Sequence, residues 1–286
     1  MAADLTHLRE WIGRTETRSD LVTPAPLTAL SATLDRADPA PANGTEVPPL
    51  WHWLYFTPVA PQSEIGADGH ARRGLFLPPV PLPRRMWAGG RLQFNALLQV
   101  GDAITRESRI DDVTIKQGRS GVLVFVNVHH ALRNARGLAL SEEHDIVYRD
   151  NPRPDVPTPE PQVAAGEEDF AREIVPDPVL LFRYSALTFN GHRIHYDRTY
   201  ATEVEDYPGL VVHGPLIATL LVDLLRREMP RASVRRFFFK AVRPLFDIHP
   251  FTVCGRRERG RETKQIALWA RDHDGFLAMQ ASAELA

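Results

Sequence analysis

Apolar and polar positions alternate along the chain in a way that predicts two sets of antiparallel strands. In the first set, apolar clusters broken by glycine and aspartate run through RLQFNALLQVGDAITRESRIDDVTIKQGRSGVLVFVNVHHAL, where β-branched and aromatic residues dominate GVLVFVNV. In the second set, strands are predicted over SVRRFFFKAV, HPFTVCGRRE and TKQIALWARDHDGFLAMQASAEL, with DHDG as a hairpin turn. A short strand is also predicted over VLLFRYSALTFN.

The clearest helix is predicted from about Pro215 to Glu228. Its apolar residues recur at helical spacing and cover most of the circumference, so this helix has to be buried nearly all round. They are Leu216, Ile217, Leu220, Leu221, Leu224 and Leu225. A less obvious helix is predicted near LWHWLYF in the first half. One buried helix followed by several strands predicts an α+β fold, in which a curved sheet wraps around a central helix.

The segment RDNPRPDVPTPEPQVAAGEED separates the two halves of the chain. It holds five prolines and several acids with almost no large apolar side chains, which is typical of an extended, solvated linker. We therefore predict a first domain over residues 1–149, a linker over residues 150–170 and a second domain over residues 171–286. Both domains are predicted to have the same α+β plan.

Composition and charge narrow the class of protein. The 286 residues are 43% hydrophobic and 24% charged, as in soluble globular proteins, and the net charge of −2 would not recruit nucleic acid or an anionic membrane. The single cysteine, Cys254, excludes an internal disulfide framework and a multi-cysteine metal site. The N-terminal MAADLTHLREWIGRTE has no apolar signal region, and no apolar run has transmembrane length, so we expect a cytoplasmic protein.

Two polar segments in the second half carry candidate chemistry. In TFNGHRIHYD, His195 can take or give a proton near neutral pH, and the amide of Asn190 can hold a water without deprotonating it. In VVHGPLIATLL, Gly214 stands where the buried helix begins, and its unshielded N–H could stabilise an oxygen that gains negative charge. These three parts can add water across a double bond conjugated to a carbonyl. Gly214 could equally be an ordinary helix start in a tight turn.

A metal site is the less favoured interpretation of these histidines. His192, His195 and His213 could be three ligands, but no nearby carboxylate has ligand spacing and the cysteine is remote. We therefore predict no metal and no cofactor, and we place His213 among the substrate contacts. Arginine is the preferred partner of a substrate carboxylate or phosphate. The candidates are Arg84, Arg85, Arg91, Arg193 and Arg243, each of which could equally be a solvated surface charge.

The segment YSALTFNGHRIHYDRTYATEVEDYPGLVVHGPLIATLL resembles the signature of the MaoC-like, hydratase 2 group of hot-dog enzymes. That signature has a polar catalytic residue, then a catalytic histidine after four intervening residues, and further on a His-Gly that opens the central helix. PPLWHWLYF, DGHARRG and LPPVPLPRRMWAGG resemble the FAS1-like N-terminal dehydratase portion of one subgroup. This subgroup includes hydratases of mesaconyl-C4-CoA and itaconyl-CoA and the mitochondrial type of 3-hydroxyacyl-thioester dehydratase.

The resemblance implies an α+β double hot-dog fold, in which two curved antiparallel sheets in one chain each wrap around a central helix. It places catalysis in the second domain and gives the first domain the role of helping to hold CoA. By position, His195 is the catalytic histidine and the Gly214 N–H is the oxyanion donor. Asn190 stands where the family usually has aspartate, and asparagine cannot act as a base. We therefore predict that Asn190 orients the water and that His195 is the only proton carrier.

The function expected from this resemblance is that of a hydro-lyase. It would add or remove water at the C2=C3 bond of a short acyl-CoA, interconverting itaconyl-CoA or mesaconyl-C4-CoA with citramalyl-CoA. CoA is then part of the substrate. No nucleic acid or membrane partner is expected, and we expect the protein to form a homodimer. Two alternatives stay open, namely a 3-hydroxyacyl-thioester dehydratase of fatty-acid metabolism and a non-catalytic acyl-CoA-binding protein. A hot-dog thioesterase is less favoured, because those enzymes typically use a carboxylate near the helix.

Overall fold

The computed structural model describes residues 5–118, 121–151, 160–258 and 264–286. The first half contains β1 (Thr15–Leu21), α1 (Pro24–Thr33), β2 (Arg84–Phe94), β3 (Ala103–Gly118), β4 (Gly121–Asn134) and β5 (Gly137–Arg149). The second half contains β6 (Phe170–Ile174), α2 (Pro178–Thr188), α3 (Gly214–Glu228), β7 (Val234–Ala241), β8 (Phe251–Arg257), β9 (Gln265–Arg271) and β10 (Leu277–Leu285). Within these ranges no helix has the length and apolar character needed to cross a membrane.

All ten strands form one antiparallel sheet, in the order β1-β3-β4-β5-β2-β7-β10-β9-β8-β6. The five strands of each half lie together, and β2 pairs with β7 where the halves meet. This junction requires glycine, because a Cβ on Gly89 would lie 2.7 Å from the carbonyl oxygen of Phe239 and one on Gly90 would lie 2.8 Å from the Phe239 ring. The predicted α+β class is confirmed, with the two half-sheets continuous across this pair of strands.

Helix α3 is the core of the second half and confirms the strongest prediction from the sequence. It packs against β6, β8, β9 and β10, and every residue from Leu216 to Leu225 is buried. The charged member of that stretch, Asp223, accepts hydrogen bonds from Arg36 and Arg227, both at 2.7 Å, so its carboxylate is paired. The helix begins at Gly214, one residue earlier than predicted.

The segment VLLFRYSALTFN, predicted as a strand, lies mostly in helix α2. Asp177 caps this helix by accepting a hydrogen bond from the Leu180 N–H at 2.8 Å, and a proline occupies the first turn. Leu181 and Tyr184 are then buried on one face at helical spacing. The strand prediction was wrong because a short apolar run fits either period, and the Asp-Pro start signal decides between them.

The first half also differs from expectation in its helix. The LWHWLYF segment forms only a short 3₁₀ helix over Trp51–Leu54, and the α-helix of this half is α1. Of the predicted linker over 150–170, residues 152–159 lie outside the described residues. Its later part contacts the β9–β10 hairpin, because the Leu277 N–H donates to the Gln162 carbonyl at 2.8 Å. The boundaries of the two predicted domains stay a prediction.

Candidate active site

The loop that follows α2 carries two of the predicted catalytic residues, Asn190 and His195. Phe189 ends the helix in the left-handed conformation, with φ of 51°, and the Asn190 N–H then donates to the Ser185 carbonyl at 2.8 Å. The side-chain oxygen of Asn190 accepts a hydrogen bond from the His192 N–H at 3.0 Å. This local turn fixes the direction in which the chain enters the 3₁₀ turn that holds His195.

The geometry of His195 suits a general base. Its side chain is buried, and Nδ1 donates a hydrogen bond to the Val211 carbonyl at 2.7 Å. A carbonyl only accepts, so Nδ1 carries the proton and Nε2 of the neutral ring is left with a free lone pair. Burial lowers the pKa of His195 to about 4, with a smaller contribution from nearby His70, although the hydrogen bond to Val211 opposes this shift. The ring is therefore neutral at physiological pH.

His213 lies directly behind His195. The two rings are stacked, with centroids 3.6 Å apart and planes 19° from parallel. A hydrogen bond of 2.8 Å joins His213 Nε2 to Ser185 Oγ, and burial, followed by the neighbouring histidines, holds the pKa of His213 well below its usual value. We placed His213 among the substrate contacts from the sequence. At 1% exposure, it is better placed to hold the His195 ring than to contact a substrate.

Gly214 follows His213 and begins helix α3. No side chain caps this end, so the N–H groups of the first turn have no partner within the helix. A Cβ at Gly214 would lie 3.7 Å from the carbonyl oxygen of Trp87, so strand β2 of the first half passes close to the helix start. Unpaired N–H groups at a helix N-terminus stabilise a developing negative charge. The His195 base and this oxyanion site are thus adjacent, since His195 stacks on the residue that precedes Gly214.

A loop of the first half docks on the catalytic loop. The Arg193 N–H donates to the Asp68 carbonyl at 2.9 Å, and the Arg193 guanidinium donates to the Ala67 carbonyl at 3.1 Å. Gly69 has a left-handed φ of 89°, and a Cβ there would lie 1.8 Å from the Gly191 carbonyl oxygen. The two backbones therefore touch at a point where no side chain fits.

This docking adds two residues to the site that the sequence analysis did not single out. His70 donates from Nδ1 to the Asp68 carboxylate at 3.0 Å, and its ring lies 4.1 Å from that of His192, which in turn lies 5.4 Å from His195. From the sequence, DGHARRG is notable only for its resemblance to the N-terminal dehydratase portion. Its Asp-x-His spacing beside glycine was the available signal, but nothing local connects it with a loop more than a hundred residues away.

Charge in this cluster is confined to the carboxylate. Burial, followed by the neighbouring His70 and His195, lowers the pKa of His192 to about 2, and burial also lowers the pKa of His70. Burial alone would raise the pKa of Asp68, but its hydrogen bond with His70 outweighs that effect and the pKa lies well below its usual range. Neutral imidazoles therefore surround one ionised carboxylate at physiological pH.

The donor atoms of Asp68, His70 and His192 lie within 4.8 Å of one another, so these three residues could hold a metal ion. This set differs from the three histidines considered from the sequence, because His195 and His213 meet face to face rather than through their nitrogens. A second group with the same property lies on the strands of the first half, with His130 and Glu142 among its members.

Four of the five candidate arginines are already paired. Arg91 contacts Glu143 at 2.7 Å and lines a cavity of about 360 Å³ that contains none of the catalytic residues. Arg193 contacts Asp197 at 2.7 Å, while Arg243 contacts Asp272 at 2.8 Å. The other two candidates, Arg84 and Arg85, lie at the start of β2.

Arg84 joins the halves, because its guanidinium donates to the Glu205 carbonyl at 2.6 Å and lies 3.5 Å from the Glu205 carboxylate. Arg85 forms no ion pair with any described residue. Asn190 and His195 thus lie on one loop, and His195 stacks on the residue that precedes Gly214, while the arginines are spread over several places. The catalytic roles of Asn190, His195 and Gly214 stay a prediction.

One sheet of two five-stranded halves, with a buried helix whose uncapped N-terminus lies beside a neutral histidine, is the arrangement of a hot-dog protein of the MaoC-like class. The sequence profile of the family described as hydroxyacyl-thioester dehydratase type 2 matches residues 50–247. The chain belongs to that family. It is 48% identical over 276 residues to mesaconyl-C(4)-CoA hydratase from Chloroflexus aurantiacus, and the match covers 96% of each chain. The predicted family is confirmed.

Solved structures support the fold. HtdX from Mycobacterium tuberculosis superposes with a TM-score of 0.66 at 16% identity, over 94% of this chain and 98% of HtdX. A second Mycobacterium tuberculosis protein, described as having a double hotdog fold, gives a TM-score of 0.60 at 12% identity, over 96% of each chain. The predicted double hot-dog fold is therefore confirmed.

Proposed function

We propose that this protein is a hydro-lyase that adds water to, or removes it from, the C2=C3 bond of a short acyl-CoA. The proposal rests on the state and position of His195. Its ring is neutral, its Nε2 is free, and it lies beside the uncapped start of α3. Membership of a dehydratase family supports the same reaction class.

In the hydration direction, His195 Nε2 accepts a proton from water while the water oxygen bonds to C3. The π electrons of the C2=C3 bond shift towards the thioester, whose oxygen gains negative charge beside the Gly214 N–H. The His195 imidazolium then gives its proton to C2, which restores the carbonyl and the neutral histidine. One water is added overall, and both of its hydrogens stay in the product.

Asn190 holds the water in this scheme. Its side-chain oxygen is engaged by the His192 N–H, which leaves the amide N–H group to donate to the water oxygen. The amide cannot take a proton at accessible pH, so His195 is the only proton carrier.

The proposed substrate is a branched dicarboxylic acyl-CoA, mesaconyl-C4-CoA, with citramalyl-CoA as the hydrated product. Itaconyl-CoA, whose double bond lies one carbon beyond C2=C3, gives the same product once a proton has moved from C2 to the terminal methylene carbon. Support comes from the relative named mesaconyl-C(4)-CoA hydratase, which matches over nearly the whole chain. A 3-hydroxyacyl-thioester dehydratase of fatty-acid metabolism is the second candidate, and the family description favours it. The two candidates share their chemistry and differ in the acyl group.

Purified protein incubated separately with mesaconyl-C4-CoA, itaconyl-CoA and crotonyl-CoA tests the proposal, with products scored by mass spectrometry for the gain of one water. We expect hydration of the dicarboxylic thioesters. Turnover of crotonyl-CoA alone would instead support fatty-acyl dehydration. His195→Gln should lower the rate on the order of 10²–10⁴-fold, as expected for loss of an acid/base group. Tight binding of all three thioesters without turnover would identify a non-catalytic acyl-CoA-binding protein.

We also propose that the enzyme is a cytoplasmic homodimer. We further propose that it needs no metal or cofactor, because His195 and the start of α3 supply all the groups that the reaction uses. Light scattering after gel filtration measures the oligomeric state. Activity should survive dialysis against a chelator. A loss of activity that Zn²⁺ restores would show that the enzyme needs an ion, for which the Asp68, His70 and His192 cluster beside the site is the candidate.

A further inference from the structure

Arg85 stands out among the arginines near the site because no acidic residue pairs with it in the described ranges. It is partly buried on β2. Arg73 also lowers the pKa of His70, but its guanidinium donates hydrogen bonds to the carbonyls of Val80 and Pro83. A partly buried guanidinium without a carboxylate partner is available to a ligand that supplies the anion.

The strand places Arg85 at the catalytic end of the molecule. Arg85 and Trp87 share one face of β2, because they are two residues apart. The carbonyl of Trp87 is the group that approaches the start of α3, 3.7 Å from the Cβ position of Gly214. The preceding residue, Arg84, reaches the Glu205 carbonyl of the second half. Arg85 therefore lies between two contacts with the second half.

Electrostatics agree with this placement. The positive charge of Arg85 contributes, after the larger effect of burial, to the lowered pKa values of both His70 and His192. Arg85 also lies opposite Tyr148 on β5, and its charge opposes the rise in the pKa of that hydroxyl caused by burial. These effects agree with a place for Arg85 on the strand that meets the second half at Glu205 and at the start of α3.

Mesaconyl-C4-CoA carries its free carboxylate on the carbon that receives the water. That carboxylate has to lie next to the water held at His195, and arginine is its preferred partner because it can bind both oxygens. Arg91 and Arg243 are paired elsewhere, and Arg193 is neutralised by Asp197. We propose that Arg85 binds the free carboxylate of a dicarboxylic acyl-CoA and makes the first half of the chain the determinant of acyl specificity. This inference rests on the proposed hydratase function.

The test compares wild type, Arg85→Gln, Arg85→Lys and the control Arg109→Gln, with kcat/KM measured for mesaconyl-C4-CoA and for crotonyl-CoA. Arg109 is an exposed arginine on β3 paired with Asp111 at 2.6 Å, which makes it a matched charge removal outside the site. Arg85→Gln should lower kcat/KM for mesaconyl-C4-CoA about a hundredfold, since a buried charged pair loses one partner. Its kcat/KM for crotonyl-CoA, which has no second carboxylate, should fall at least tenfold less, and circular dichroism checks that the variant is folded.

Arg85→Lys should lose about tenfold with mesaconyl-C4-CoA, because lysine keeps the charge without the bidentate fork. Equal losses with both thioesters, or no loss with either, would overturn the role of Arg85 while leaving the hydratase proposal intact. A wild-type enzyme that hydrates crotonyl-CoA and neither dicarboxylic thioester would overturn both the substrate class and the role of Arg85. If Arg85→Gln does not fold, the ratio of the two kcat/KM values in Arg85→Lys decides the question.

Discussion

At the scale of single residues, His195 has to remain neutral in order to accept a proton. Burial lowers its pKa to about 4, below the value of about 6.5 of a free histidine. We expect kcat/KM for hydration to be constant from about pH 8 down to about pH 5.5, where a histidine of ordinary pKa would already be about ninety per cent protonated. Steady-state rates across this range provide the measurement, and an acid limb near pH 6.5 would contradict the assignment.

Asn190→Asp tests whether the position only holds water. A carboxylate can still accept the His192 N–H, and its negative charge should favour the protonated form of His195 and raise the pKa of that ring. We expect activity within about tenfold of wild type and an acid limb moved towards neutral pH. Asn95→Asp, on an exposed position, is the control. A loss of more than a hundredfold would show that the neutral amide is required.

At the scale of elements, the sequence predicts α3 and the catalytic loop because their signals are local. The apolar residues of α3 recur over the whole helix, and the spacing of Asn190 and His195 lies within one loop. The docked loop around Gly69 gives no such signal. This loop is held in place by Arg193, which donates a hydrogen bond to the Ala67 carbonyl, 126 residues earlier in the chain. Such a contact is set by tertiary packing, which a single sequence does not display.

Gly69→Ala tests the importance of this docked loop. The new methyl group would lie 1.8 Å from the Gly191 carbonyl oxygen, so the catalytic loop has to shift, and a shift of about 1 Å can cost a hundredfold in rate. We expect kcat to fall at least tenfold with an unchanged far-ultraviolet circular dichroism spectrum. Gly275→Ala is the matched control, because Gly275 has a similar φ of 85° with nothing within 4 Å of the new methyl. If both variants keep full activity, the loop does not position the site.

At the scale of the whole molecule, a buried carboxylate stabilises the first half. Glu142 is 3% exposed and accepts hydrogen bonds from His52 at 3.1 Å and Trp53 at 3.0 Å. Burial alone would raise its pKa, but the charges and hydrogen bonds of His144 and His52 hold the pKa well below its usual value. A depressed pKa contributes stability above the unfolded value of about 4.3, and this contribution is lost as the pH falls further.

Glu142→Gln should therefore lower the free energy of unfolding by about 3–5 kcal/mol at pH 7, because the buried histidines lose their carboxylate partner. The difference in the free energy of unfolding between this variant and wild type should be smaller at pH 4, where the unfolded state begins to bind a proton at Glu142. Urea unfolding at pH 7 and at pH 4 measures this difference. Glu143→Gln removes an exposed partner of Arg91 on the neighbouring position and should cost less than about 1 kcal/mol. Equal effects at the two positions would exclude the buried network as a source of stability.

The junction between the halves is also a property of the whole molecule. The sequence predicts strands on both sides of the linker, and the α+β class follows from them. Nothing in the pattern of β2 or β7 shows that these two strands pair, because both carry ordinary strand composition. From the sequence, Gly89 and Gly90 indicate only a bulge or a close approach of another backbone. The residue that approaches them, Phe239, lies far along the chain.

The docking of the loop around Gly69 on the loop around Gly191 has a consequence for symmetry. In a dimer of two identical single-domain subunits, every substitution appears in both subunits, so a change that improves one site also alters the other. When the two halves belong to one chain, each half can change independently of the other. Here one half contributes Arg85 and the Asp68–His70 pair, and the other contributes His195 and the start of α3. Each chain should hold a single site to which the halves make unlike contributions, and active-site titration should count one bound thioester for each chain.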